Sequence, residues 1–121
     1  MRHNHRIAVI EGDPLMRELA GRWLEQAGHA VVFVSARQLD SVPALDLIML
    51  DVANPRAAAG RVQSLRSAHP APLLLVSGRL RRSNDPSPAL ALQLGVSAVL
   101  AKPYTREQLL AAVAAALAAG S

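Results

Sequence analysis

Short runs of mostly apolar residues alternate along the chain with longer segments in which apolar and polar residues mix. The clearest run, residues 47–50, has no polar positions, which is typical of a strand covered on both faces by helices. This run ends at Asp51. Similar runs predict a first strand at residues 6–11, a second at 29–34, a fourth at 73–77 and a fifth at 97–101.

The segment after the first strand is predicted to form a helix that ends near Gly28. Asp13 can accept hydrogen bonds as its N-cap, and Pro14 suits its first turn. Apolar residues then recur at helical spacing and should form the buried face. These residues are Leu15, Met16, Leu19, Ala20, Trp23, Leu24 and Ala27.

Helices are also predicted between the later strands. Residues 57–69 and 89–94 each fit a helix, whereas residues 35–45 allow only a short, weak one because Pro43 interrupts it. A capping box of Thr105 and Gln108 opens the last helix, which runs to about residue 120. Its inward residues should be Leu109, Leu110, Val113 and Leu117.

This order of elements predicts the fold class. Five strands that alternate with helices indicate an α/β protein with a doubly wound parallel sheet and right-handed crossovers. We expect the flavodoxin-like strand order 2-1-3-4-5. A chain of 121 residues fits one domain, so we assign residues 1–121 to it.

The amino-acid composition excludes several classes of function. The chain has no cysteine, which excludes disulfides and thiolate chemistry, and it has no apolar run of membrane-spanning length. Direct nucleic-acid binding is not expected, because the arginines are scattered apart from Arg79, Arg81 and Arg82. We therefore expect a cytoplasmic protein. Of its thirteen cationic side chains only Lys102 is a lysine.

Four of the five predicted strands end at a residue that can take part in chemistry: Glu11, Asp51, Ser77 and Lys102. In the order 2-1-3-4-5 these strands are neighbours, and their carboxyl ends form the edge where such sheets bind ligands. Two carboxylates, a hydroxyl and an ammonium can bind a divalent cation and a phosphoryl group. The alternatives are structural: Asp51 could start a turn, and Glu11 could simply pair with Lys102.

With these residues the chain resembles the receiver domain of bacterial response regulators, from residue 6 to residue 117. The matching features are Glu11 after the first strand, Asp51 with Pro55 four residues later, Ser77-Gly78, and Lys102-Pro103-Tyr104. The resemblance implies a two-component phosphorelay in which a histidine kinase or phosphotransfer protein phosphorylates Asp51, and a partner or output domain receives the signal. Such a domain is not a turnover enzyme.

The resemblance also implies roles for the other residues. Ser77 and Lys102 would contact the phosphoryl oxygens, and Mg²⁺ would be held by Glu11, Asp51 and the backbone carbonyl of Ala53. The Lys102-Pro103 peptide bond would be cis. Self-association would use the last two helices and the strand between them, and we expect it to be weak because that face is mostly Ala and Leu.

Two of the chain's departures from the receiver pattern bear most on its function. Gly12 replaces the second of two adjacent acids, so we expect weak Mg²⁺ binding, and Val99 replaces an aromatic residue. These changes favour an alternative function, a pseudo-receiver that acts as an interaction module without regulated phosphorylation. A flavodoxin-like cofactor binder is less suited, because Glu11 and Asp13 would repel a phosphate after the first strand.

Overall fold

Five parallel strands form one sheet in the order β2-β1-β3-β4-β5, which confirms the predicted doubly wound α/β fold. The structure, a computed structural model, describes residues 5–41, 44–80 and 88–119. The strands are β1 (Arg6–Ile10), β2 (Ala30–Phe33), β3 (Leu47–Asp51), β4 (Leu73–Ser77) and β5 (Ala98–Ala101).

Helices cover both faces of this sheet. One face packs against α1 (Pro14–Gln26) and α4 (Arg106–Ala119). The other packs against a 3-10 helix (Ala36–Ser41), α2 (Ala59–Ala68) and α3 (Pro88–Leu94). Each helix lies close to its predicted position, although α2 begins two residues later than expected. Among the described residues, no helix combines the length and the apolar composition needed to cross a membrane.

The apolar strands are buried because successive side chains point to opposite layers. In β1, Ile7 and Val9 pack with α1 and α4, whereas Ala8 and Ile10 pack with the helices on the other face. A strand with a helix layer on each side has no water-facing positions, so its sequence is apolar throughout. The continuous apolar runs therefore follow from the two-sided burial of the sheet.

Helix α1 begins and ends close to its predicted bounds, but its first turn differs from expectation. The Asp13 side chain accepts hydrogen bonds from the backbone N–H groups of Leu15 and Met16, and Pro14 follows in the first turn, as predicted. Leu15 and Ala27 are exposed, so their assignment to the buried face is wrong. Leu15 lies in the first turn of the helix and Ala27 is its C-cap, so both mistaken assignments fall at the helix ends.

The remaining connections are only partly described. Thr105 and Gln108 exchange backbone-to-side-chain hydrogen bonds, so the predicted capping box is present. The 3-10 helix is the short, weak helix expected before Pro43, which itself lies outside the described residues. Arg81 and Arg82, two of the three clustered arginines, also lie outside the described residues.

Gly21 lies in the middle of α1, where the ring of Phe33 from β2 packs directly over it. A methyl group at Gly21 would overlap that ring, although alanine favours a helix over glycine by about 1 kcal/mol. We therefore expect Gly21→Ala to raise the free energy of unfolding by up to about 1 kcal/mol in a Phe33→Ala background, and by less in the wild type. Urea denaturation of the four proteins measures this difference. Equal changes in both backgrounds would contradict the contact.

Candidate functional site

The four predicted site residues lie at the same edge of the sheet. Glu11 follows β1, Asp51 ends β3, Ser77 ends β4 and Lys102 follows β5. Because β1, β3, β4 and β5 are consecutive in the sheet, these residues stand side by side at its carboxyl edge. Of these side chains, Lys102 is in direct contact with both Glu11 and Asp51.

Lys102 connects the two carboxylates. Its Nζ atom donates hydrogen bonds to Glu11 Oε1 at 3.2 Å and Oε2 at 3.1 Å, and to Asp51 Oδ1 at 3.2 Å. An ammonium carries three protons, so these three contacts can use all of its donors. The pairing of Glu11 with Lys102, considered above as a structural alternative, is therefore present, and Asp51 shares the same cation.

Glu11 is the most enclosed member of the group. Its side chain is 1% exposed, and Oε2 also accepts the backbone N–H of Asp13 at 3.0 Å. The turn through Gly12 brings this N–H back toward the end of β1. A buried carboxylate requires such partners, because an isolated charge is costly to remove from water. Nothing in the sequence pattern indicates the Asp13 contact, since it depends on the path of the turn.

Asp51 is the more accessible acid. Its side chain is 25% exposed, compared with 18% for Lys102. The Lys102 ammonium is thus close to a carboxylate that molecules from solution can reach. This combination places a nucleophilic oxygen and a positive charge at one open position on the sheet edge.

Ser77 lies in the neighbouring strand but is completely buried. Its Oγ atom accepts the backbone N–H of Arg79 at 3.1 Å and donates to the carbonyl of Ala53 at 3.5 Å, a long contact. The hydroxyl therefore contacts the backbone of the loop after Asp51. A hydroxyl has one proton, so a hydrogen bond from Ser77 to a group on Asp51 would replace its long bond to Ala53.

The environment of Lys102 keeps it charged. Partial burial alone would lower the pKa of the ammonium, but the hydrogen bond that Lys102 donates to Glu11 and the charges of Asp51 and Glu11 outweigh it, so the pKa is raised. Lys102 is consequently a permanent cation near neutral pH. The anionic pocket also acts on Tyr104, whose pKa is raised by burial and by the charges of Glu11 and Asp51.

Tyr104 connects this edge to the core. The Lys102-Pro103 peptide bond is cis, as the resemblance implied. Tyr104 is buried in the core layer of α1 and α4, where its ring meets Trp23 edge-on, with 6.3 Å between the ring centroids. Its hydroxyl is buried and has no hydrogen-bond partner among the residues that the structure describes. Val99, in contrast, is buried in the opposite layer.

The three predicted Mg²⁺ ligands offer a poor cation site. Both Glu11 oxygens are bonded to Lys102, the Ala53 carbonyl accepts from Ser77, and Gly12 has no side chain to supply a further carboxylate. Within the described ranges, no cluster of three or more acids, histidines or cysteines could hold a metal. To hold Mg²⁺, Glu11 would thus have to share its oxygens with Lys102 or be released by it.

A second pair of titratable residues lies at the opposite edge of the sheet. The rings of His5 and His29 are 5.5 Å apart, at the start of β1 and just before β2. Burial lowers the pKa of His29, and a positive charge on His5 would lower it further. Parallel strands all begin at one edge of the sheet and end at the other. The histidine pair lies at the edge where the strands begin, so it is not part of the pocket at Asp51, where they end.

The chain is similar in sequence to curated regulators of transcription. It is 26% identical over 117 residues to the transcriptional regulatory protein CpxR of Escherichia coli, and equally to that of Shigella flexneri. The match includes 93% of this chain but 49% of CpxR, so the chain spans about half the length of these relatives. No family model matches the chain.

Solved structures of response regulators have a fold similar to that of this chain. A response regulator from Thermotoga maritima has a TM-score of 0.78 at 15% identity, covering 96% of this chain and 99% of that one. The N-terminal domain of the nisin resistance regulator NsrR has a TM-score of 0.73 at 23% identity, covering 95% and 99%.

The chemotaxis response regulator CheY4 of Vibrio cholerae has a TM-score of 0.67 at 17% identity, covering 93% and 98%. Each of these matches covers nearly all of this chain rather than one motif. The resemblance predicted from the strand-end residues is therefore confirmed: this chain has the receiver fold of the response regulators of two-component systems.

Proposed function

We propose that this domain is a phosphoacceptor receiver that takes a phosphoryl group onto Asp51 from a histidine kinase or phosphotransfer protein. The observation that supports this most directly is the position of Asp51. Its partly exposed carboxylate ends a central strand, and the Lys102 ammonium lies 3.2 Å from Oδ1. Ligands of doubly wound sheets bind at this edge.

The chemistry requires one nucleophile and one cation. A carboxylate oxygen of Asp51 attacks the phosphorus atom and forms a new O–P bond, while the bond from phosphorus to the donor breaks and its electron pair leaves with the donor. Charge on the phosphoryl oxygens is stabilised by a cation already held in place, because such a group needs no reorganisation. Lys102 supplies that charge, and Ser77 would contact the phosphoryl group after a local rearrangement.

A divalent metal would contribute by neutralising phosphoryl charge when bound. Glu11, Asp51 and the Ala53 carbonyl are the groups that would hold Mg²⁺, and we propose that they hold it weakly. Gly12 removes one acid and Lys102 already pairs with the other two. Lys102 would therefore supply part of the electrostatic stabilisation in the proposed reaction, and a weakly held Mg²⁺ would add to it.

The proposal extends to location and partners. The domain would act in the cytoplasm, modify only itself, and pass its state to an output domain or partner protein. Self-association through α3, β5 and α4 should be weak, because the exposed residues described in α3 and α4 include more alanines than charged residues and no aromatic ring. No role in direct nucleic-acid binding is proposed for this domain.

Incubation with acetyl phosphate and Mg²⁺, followed by intact mass measurement, tests the proposal. We expect the wild type to gain the mass of one phosphoryl group and Asp51→Asn to gain none, because an amide is a poor nucleophile. Asp46→Asn is the matched control: Asp46 is exposed and accepts the Arg6 N–H at the other end of β3, and asparagine can still accept that bond. It should label like the wild type.

A pseudo-receiver remains the second candidate, because Lys102 already satisfies both acids and Gly12 lacks a carboxylate. A wild-type protein that is folded but unlabelled at any Mg²⁺ concentration would support this alternative. The Glu11–Lys102–Asp51 group would then be a structural ion network at the sheet edge.

A further inference from the structure

Strand β2 is an open edge of the sheet. It pairs with β1 alone among the described strands, and each of its four residues is exposed or half-buried. Proteins usually protect such an edge from a second strand by placing charged residues or proline on it. Residues 29–35 contain no Lys, Arg, Asp, Glu or Pro. The side chains of β2 therefore do not prevent another strand from pairing with it.

The backbone of β2 has hydrogen-bonding groups that point away from the sheet. Alternate residues of a parallel strand bond to the same neighbour, and the N–H groups of Ala30 and Val34 donate toward β1. Val31 and Phe33 lie at the intervening positions. Their N–H and C=O groups are therefore directed toward the open side of β2.

The outward N–H groups at both ends of β2 are already bonded. The N–H of His29 donates to the carbonyl of Leu24 at 3.1 Å. The N–H of Ser35 donates to Oε1 of Gln38 at 2.9 Å. The donors that remain for a second strand are thus those in the middle of β2.

These donors select one register for a second copy of the same strand. In an antiparallel pair, opposite residues exchange both N–H···O=C bonds at every second position. If Val31 lies opposite Phe33 of the second copy, each copy donates two bonds and accepts two. Placing Val31 or Phe33 opposite its own copy would instead require His29 or Ser35, whose N–H groups are occupied.

The side chains fit the same register. Val31 packs in the layer of α1 and α4, and the Phe33 ring lies over Gly21 of α1, so both are on one face of the sheet. The Phe33 ring, 44% exposed, would then meet Val31 of the second copy, and aromatic residues pair favourably with β-branched ones across strands. On the other face, Val32 would lie opposite Val32 of the second copy.

We propose that β2 is a dimer interface, in which two copies of this chain pair antiparallel through Val31 and Phe33 and join their sheets. The contact is self-complementary, as a twofold dimer requires. The strand has only four residues, so the dimer should be weak. Because β5 forms the opposite edge of the sheet, this contact is separate from the face of α3, β5 and α4. It does not rest on the function proposed above.

Sedimentation of the wild type at increasing concentration gives the first test. We expect the mass to rise from 12.8 kDa toward twice that value as the protein concentration enters the millimolar range. No phosphodonor or metal is added, so the result is independent of the labelling of Asp51. A mass that stays at that of the monomer throughout would overturn the inference.

Charges at position 32 test the register. Val32→Lys and Val32→Glu each place like charges directly opposite one another in the dimer, so each variant alone should be monomeric. An equimolar mixture of the two should associate at least tenfold more tightly than either variant alone, because opposite charges then meet. A dimer that survives in both variants, or a mixture that stays monomeric, would overturn the inference.

Leu92→Lys is the matched control. It adds the same charge as Val32→Lys, but on an exposed side chain of α3, and should dimerise like the wild type. Loss of the dimer in this variant alone would assign the contact to α3 and overturn the inference.

A charge at the half-buried Val32 could prevent folding, which circular dichroism would reveal. Phe33→Pro then decides, because it removes an outward N–H and the exposed ring without breaking a hydrogen bond to β1. We expect this variant to be monomeric at concentrations where the wild type is a dimer. Equal association of the two proteins would overturn the inference.

Discussion

Replacing Gly12 by Asp is expected to raise the affinity of the pocket for Mg²⁺ severalfold at least and to speed the labelling of Asp51. The substitution adds a unit of negative charge beside Glu11. A unit charge about 4 Å from a divalent ion is worth on the order of several kcal/mol at a protein-like dielectric, before desolvation reduces it. Calorimetry with MgCl₂ and the rate of mass gain with acetyl phosphate measure the two effects.

The backbone permits this substitution. Gly12 is exposed, a Cβ atom added there would meet nothing within 4 Å, and its φ is not in the left-handed region that disfavours other residues. The new carboxylate can thus be accommodated without strain. Asp13 is no substitute for it, because its side chain caps α1.

Gly60→Asp provides the matched control for Gly12→Asp. Gly60 is an exposed glycine in α2 that also has open space around a Cβ atom, and the substitution adds the same charge outside the pocket. It should leave both Mg²⁺ affinity and labelling close to the wild type. If the wild type labels as fast at low Mg²⁺ as Gly12→Asp, a group other than an acid at position 12 already supplies the missing charge.

Leu74→Ala is expected to lower the free energy of unfolding by about 2–5 kcal/mol. Leu74 is fully buried in β4, a strand paired on both sides, and its side chain packs with α1 and α4. The cost combines lost apolar burial with the cavity that remains. Domains of this kind have a total stability of about 5–15 kcal/mol, so the variant should lose a large part of it. Urea denaturation followed by circular dichroism measures the change.

The chain contains a control with the same chemistry. Leu92 in α3 is 83% exposed, so Leu92→Ala removes the same atoms from a side chain that is mostly in water. Its effect should lie within about 0.5 kcal/mol of zero, as for most surface substitutions. A similar loss from both variants would mean that an unseen partner covers Leu92 or that Leu74 is less enclosed than the structure indicates.

The fold could be predicted from the sequence because a strand buried on both faces appears as a continuous run of apolar residues. Strands with a helix layer on each side contain no polar positions, and residues 47–50 and 73–76 show this directly. The helix caps could also be predicted, because Asp13 and Thr105 accept hydrogen bonds from backbone N–H groups only two or three residues further along the chain. Helix ends were less predictable. Leu15 has the right spacing for the core but is exposed in the first turn of α1, because spacing alone does not tell which turns of a helix are covered.

The sequence was enough to predict which residues form the candidate site, but not which hydrogen bonds they make. Strand order and strand ends were enough to expect Glu11, Asp51, Ser77 and Lys102 at one edge. Which carboxylate Lys102 would contact, and that Ser77 would turn toward backbone atoms, depends on loop paths and rotamers that leave no periodic pattern. Whether these residues act in phosphoryl transfer stays a prediction for the labelling experiment.

The edge-on contact between Trp23 and Tyr104 gives the domain a built-in optical reporter. The chain has one tryptophan, so its fluorescence comes from one defined position in the core. Trp23 touches the aromatic ring that follows Lys102-Pro103, and the charges of Glu11 and Asp51 act on that ring's hydroxyl. Indole emission responds to nearby fields and packing, so a change in the ions around Asp51 should reach Trp23 through Tyr104. The state of the pocket could then be followed in real time without a label.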